Sequence, residues 1–224
     1  MPPALAAGAV RLTAEEKASG LAVLRERVQT AGAARGPGTL PRMVFAVGSP
    51  MAGLVLVGTA PGAEEARQGE PFVGRAGQLL TKVLKGMGLE RPQVYLTNIF
   101  KYPAEPGGDG PRGPTPEETA SAMEIVREEI AIIQPQVIVA LGGTALAGLL
   151  GSPAGGMAGR GQFYEFEGIP VMATLDPAHL LQQEAEGLES ATAEKRKLWE
   201  DMLRVMEKTG MPISAKQRRF FLPK

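Results

Sequence analysis

The 224-residue chain contains no cysteine. That absence excludes disulfides, thiolate-bound zinc and cysteine-held iron–sulfur clusters. A single histidine, His179, excludes a metal site built from several imidazoles. No apolar run reaches the roughly 18 residues of a membrane span, and the start lacks the charged-then-apolar order of a signal peptide. A cytoplasmic protein without membrane contact is therefore expected. An excess of either charge is missing too, since 24 Lys and Arg face 24 Asp and Glu. With no global field, any contact with DNA must come from a local patch. What is present is 44% hydrophobic residues, enough over this length for one sizeable core.

The pattern along the chain predicts an α/β protein. Residues 1–12 read as a flexible Ala/Pro-rich tail, 13–210 as one domain, and 211–224 as a basic and aromatic tail. Thr13 is a suitable N-cap, with Glu15 and Glu16 favoured by the dipole of a helix over 14–30. An irregular Gly/Pro/Ala stretch follows over 31–42. Uncharged β-branched runs at 54–57, 94–100 and 137–141 read as strands buried on both faces. Helical patterns lie between them at 76–87 and 116–133. Residues 163–166 and 169–174 form a hairpin around Glu167 and Gly168, its second arm being the fourth core strand. A last helix over 192–208 carries Trp199, Leu198, Met202 and Val205 on its apolar side. Strands alternating with helices predict a three-layer αβα sandwich around a four-stranded parallel sheet with right-handed crossovers.

In such sheets ligands bind beyond the carboxyl ends of the strands. Three polar loops are expected on that rim: Gly58-Thr59-Ala60-Pro61-Gly62, Thr97-Asn98 with Lys101, and Thr174-Leu175-Asp176-Pro177. The first continues to Phe72, an aromatic between Pro71 and a glycine-rich run. It lacks the Gly-Lys-Ser/Thr ending of a phosphate-cradling Walker loop. On its own it reads equally as an ordinary strand-to-helix connection, with Phe72 in the core and Asn98 capping a strand end.

Taken together the rim loops resemble the uracil-DNA glycosylase superfamily, and within it the thermostable iron–sulfur class. The resemblance spans about residues 20–185 and rests on an ordered set of motifs. These are Gly58-Thr59-Ala60-Pro61-Gly62, Gly69-Glu70-Pro71-Phe72-Val73-Gly74-Arg75-Ala76-Gly77, Thr97-Asn98-Ile99-Phe100-Lys101, Thr115-Pro116-Glu117-Glu118 and Gly159-Arg160-Gly161. It implies that Phe72 stacks on an extruded base and that Asn98 hydrogen-bonds its uracil edge. Ala60, Pro61 and Gly62 would line the pocket and meet phosphate. Lys101 and Arg160 would face DNA, and the partner would be DNA carrying a damaged or deaminated base. His179, one helical turn from Asp176, is a further candidate for the DNA groove, or else faces solvent.

The chain also departs from the pattern it resembles. The four cluster cysteines fall at Ala31, Ala34, Tyr102 and Ala122, so neither a cofactor nor a metal is expected. Thr59 stands where the family carries the glutamate that handles the attacking water. A threonine hydroxyl can hold a water but is no base near neutral pH. Glu65, in the same loop, matches a position often acidic in the family. Asp176 replaces the histidine that steadies the departing base, and Gln182 replaces an arginine. Thr59, Asp176 and Glu65 are thus the candidate catalytic residues. Two functions remain open, a glycosylase with diverged catalytic motifs and a non-catalytic binder of DNA or nucleobases. A monomer is expected. The tail residues Gln217, Phe220 and Phe221 loosely resemble a sliding-clamp-binding peptide; equally, the tail folds its phenylalanines onto its own domain.

Overall fold

Strands β2 (Leu54–Gly58), β3 (Tyr95–Asn98), β6 (Val137–Leu141) and β8 (Ile169–Thr174) form the parallel centre of one sheet in the computed structural model. The structure describes residues 10–33, 42–103, 106–107, 110–111, 114–151, 159–187 and 190–221. The four parallel strands match the expectation, but the sheet has six. Its order is β1-β3-β2-β6-β8-β7, with β1 (Val47–Gly48) and β7 (Phe163–Phe166) antiparallel at the two edges. Two-residue β1 has no periodicity for a sequence reading to detect. Apart from this sheet, β4 (Pro106–Gly107) pairs antiparallel with β5 (Gly110–Pro111), and a short α2 (Ala63–Gln68) follows β2. The β7–β8 hairpin turns on Glu167 and Gly168, both at positive φ, the conformation of a tight two-residue turn.

Alternating side chains of the parallel strands build two cores. Leu54, Leu56, Leu96, Val139 and Met172 face α3 (Arg75–Met87), α6 (Pro177–Ala185) and α7 (Ser190–Lys208). Val55, Val57, Tyr95, Ile138, Ala140 and Val171 face α4 (Pro116–Ile133) and α5 (Gly143–Leu150). Both faces are covered, which is why the strands read as continuous apolar runs. Outside α4, Leu24 and Val28 of α1 (Ala14–Ala33) pack with Phe45 against Ile125 and Ile132. The helix α1 runs three residues beyond the expected end. Alanine favours helix there, and Gly32 admits Tyr102, since a methyl on Gly32 would lie 1.7 Å from the Tyr102 hydroxyl.

Both tails have structure within the described residues. Gln134 bonds Leu12 N–H at 3.0 Å and the Val10 carbonyl at 2.8 Å. At the other end a short helix, α8 (Ala215–Arg218), closes over Trp199. The Trp199 indole donates to the Gln217 carbonyl at 2.9 Å, and Gln217 Nε2 donates to the Gly86 carbonyl at 2.9 Å. Phe220 lies 5.5 Å from the Trp199 ring, and Phe221 packs against the core. Gln217, Phe220 and Phe221, the three residues that loosely resemble a clamp-binding peptide, thus all contact the chain's own domain. No described helix is long and apolar enough to cross a membrane.

Candidate active site

Four parallel strands deliver four loops to one rim. After β2 and β3 the pairing persists: Ile99 N–H donates to the Gly58 carbonyl and Phe100 N–H to the Thr59 carbonyl, each at 2.9 Å. This lays Thr59 beside the exit of β3. Over Gly58 two expected residues meet. A methyl built on Gly58 would sit 2.4 Å from Asn98 Oδ1 and 2.7 Å from Phe72 Cζ. Only glycine lets the Asn98 amide and the Phe72 ring close in on the strand end together. Asn98 is 3% exposed, yet its side-chain amide has no hydrogen-bond partner among the described residues. The residue is buried but its amide is not spent on the fold, which leaves its donor and acceptor for a ligand at the rim.

Phe72 adopts φ 57°, a left-handed conformation uncommon for a bulky residue. Its backbone is held from two sides. Glu65 Oε1 accepts from Val73 N–H at 3.1 Å and Gly74 N–H at 2.8 Å, while Oε2 accepts from Gly62 N–H at 3.2 Å. Arg91 donates to the Pro71 carbonyl at 2.9 Å and the Phe72 carbonyl at 3.0 Å. The Glu65 carboxylate, expected to be catalytic, is thus occupied with loop backbone, and it takes up the Gly62 N–H expected to meet phosphate. Pro61 is buried and Ala60 half-buried on the same loop.

On the far side of the rim, Asp176 caps α6 by accepting from Ala178 N–H at 2.7 Å. It packs beside Gly142, at the exit of β6, where a methyl would lie 3.0 Å from Asp176 Cβ. Burial raises the Asp176 pKa above the ordinary 3.8, against the opposing pull of the Ala178 bond and of His179. His179 is exposed, with Nε2 3.1 Å from Gln183 Nε2.

Two residues expected on DNA turn inward instead. Lys101 Nζ donates to Glu129 Oε2 at 2.7 Å, Thr97 Oγ1 at 2.6 Å and the Asn98 carbonyl at 2.8 Å. With its side chain 2% exposed it cannot reach phosphate. Burial lowers its pKa, opposed by the Glu129 charge, and burial beside the same charge raises that of Tyr95. Arg160 binds both oxygens of buried Asp201, which also accepts from Thr174 Oγ1 at 2.7 Å. A motif gives a residue's place on the rim, not the direction of its side chain. Glu129 was missed altogether, although a signal existed: it falls on the same helical face as Met123, Val126, Ile130 and Ile133.

The buried pair yields a distinct expectation. Lys101→Met leaves Glu129 uncompensated and should destabilise the fold by about 3–5 kcal/mol in urea unfolding. A lysine meeting phosphate would instead reduce the salt slope of DNA binding by about one, with little loss of stability.

The residues at the four cluster-matching positions do not fit an iron–sulfur group. No thiolate exists in the chain to hold iron. Tyr102 rests against α1 at Gly32, and Ala122 packs into the α4 core; Ala34 lies outside the described residues. The described residues contain no group of three or more His, Asp or Glu able to hold a metal ion.

Comparison with known proteins agrees with the geometry. Residues 45–203 match the model of the Uracil DNA glycosylase superfamily. The type-4 uracil-DNA glycosylase of Thermotoga maritima is 41% identical over 137 residues, covering 60% of this chain and 69% of that protein. That of Archaeoglobus fulgidus is 44% identical over 104 residues, 46% of this chain and 50% of its own length. That of Pyrobaculum aerophilum is 37% identical over 141 residues, 59% and 70% respectively.

Proposed function

The chain belongs to the uracil DNA glycosylase superfamily, and on that footing we propose that it extrudes a damaged base from DNA, uracil by default, and hydrolyses its N-glycosidic bond. The meeting of Phe72 and the free Asn98 amide over Gly58 carries this reading. A base must leave the stack before its glycosidic bond can be reached. Phe72 offers an aromatic plate for its face. Asn98 offers an acceptor for the uracil N3–H and a donor for O4. Thr59 holds the attacking water without deprotonating it, so water attack relies on positioning and on stabilising the departing base. As that base takes on negative charge, an ionised Asp176 repels it. The neutral acid, which burial favours, donates a hydrogen bond to it.

The test is excision from single- and double-stranded oligonucleotides carrying uracil, hypoxanthine, xanthine or a mismatched base, scored as alkali-sensitive sites. Base release supports the glycosylase. The Thr59 and Asp176 departures favour a second reading, a binder that has lost hydrolysis. Tight binding to uracil-containing DNA without release from any substrate would establish that one.

Asp176 also gives a pH dependence. A carboxyl whose pKa is raised on folding contributes its stability below the unfolded value and loses it as pH rises through the folded one. Asparagine keeps the cap and never ionises. Asp176→Asn should therefore match the wild type below about pH 3 and exceed it in Tm by about pH 7. Thermal unfolding across that range checks this; a constant difference would contradict it.

A further inference from the structure

Arg91 has no place in any motif, yet it lies against the strained end of the Phe72 loop. Its guanidinium spans two consecutive carbonyls, of Pro71 and Phe72, and also reaches Thr81 Oγ1 at 3.4 Å. Burial lowers the Arg91 pKa, against the opposing pull of the Glu70 and Glu65 carboxylates. Carbonyls before the bend are thus gripped by Arg91, and the N–H groups after it by Glu65. Gly77 of α3 lets the loop seat this closely, since a methyl there would lie 1.7 Å from the Phe72 carbonyl oxygen. Left-handed backbone at a phenylalanine persists only where its surroundings over-determine it. The planar fork of arginine suits two neighbouring acceptors in a way a lysine does not.

We propose that Arg91 is a positioning residue for the base pocket: it fixes Phe72 in its left-handed conformation and so aims the ring over Gly58 at the extruded base. This rests on the reading of Phe72 as the stacking plate. Arg91 touches no substrate and acts through Phe72 alone. Its loss therefore matters only while an aromatic ring occupies position 72.

A double-mutant cycle tests this dependence. Single-turnover uracil release is measured for the wild type, Arg91→Met, Phe72→Leu and the double variant, alongside amide hydrogen exchange at Val73 and Gly74. Arg91→Met should cost on the order of a hundredfold in rate, as misplaced contacts do. It should cost little more once Phe72 is leucine, and exchange at Val73 and Gly74 should quicken. A wild-type rate in Arg91→Met, or equal losses in both backgrounds, would overturn the proposal. If Arg91→Met does not fold, Arg91→Lys, which keeps the charge and one carbonyl bond, takes its place in the cycle with a smaller expected loss. If the wild type releases no base, the glycosylase reading fails and exchange alone decides: faster exchange in the variant supports the hold of Arg91 on the Phe72 backbone, and unchanged exchange removes it.

Discussion

Asn98→Ala is expected to lower single-turnover uracil release by about 10²–10³-fold, the usual consequence of removing one preorganised donor to developing charge. Stability should barely change, because the amide bonds no described side chain or backbone group. This combination separates a ligand-facing asparagine from a structural one. A strand-end cap would cost stability when removed and leave chemistry alone. The backbone of Asn98 is held independently, its carbonyl accepting from Lys101 Nζ at 2.8 Å. Position 98 is therefore maintained in the variant, and the loss reports on the side chain. Release and urea unfolding, measured on the same preparation, check both halves.

The second large effect runs in the opposite direction. Thr59→Glu combined with Asp176→His should raise the rate by about 10²–10⁴-fold, the typical contribution of general-base assistance. Glutamate at 59 would stand beside the β3 exit, where backbone pairing already fixes the loop. Histidine at 176 removes a carboxylate that repels the departing base when ionised. Asp176 also caps α6 through Ala178 N–H, so the double variant should lose about 1 kcal/mol of stability while gaining activity. Release rates at saturating enzyme check the gain. A double variant no faster than the wild type would mean that these two departures do not limit the chemistry.

Much of the fold was legible because its centre is buried on both faces. Val55 and Val57 point to one core and Leu54 and Leu56 to the other, so no charge interrupts the run. Caps were legible for the same local reason: Thr115 accepts from Glu118 N–H at 3.2 Å, as its position before a proline-led acidic turn implies. Edge strand β1 was not legible, being two residues long. At the site, Phe72, Asn98, Thr59 and Asp176 could be placed on the rim from motifs. What each side chain does there could not. Lys101 and Arg160 read as phosphate contacts, but each has an acid behind it, Glu129 on α4 and Asp201 on α7, distant in sequence. Glu65 read as a catalytic acid because its backbone partners, Val73 and Gly74, are brought to it only by the fold. Arg91 gave no signal, since arginine before a proline in a short turn is unremarkable until its two carbonyl acceptors are seen.

On the proposed function, Phe72 and Asn98, brought together over Gly58, hold an extruded uracil. Placing a methyl there tests it most directly. Gly58→Ala would put Cβ 2.4 Å from Asn98 Oδ1 and 2.7 Å from Phe72 Cζ, so both side chains must shift from their places over the strand end. Single-turnover release of free uracil, measured for wild type and variant with DNA binding held saturating, should show release by the wild type and its loss in Gly58→Ala. Equal release by the two proteins would contradict the claim.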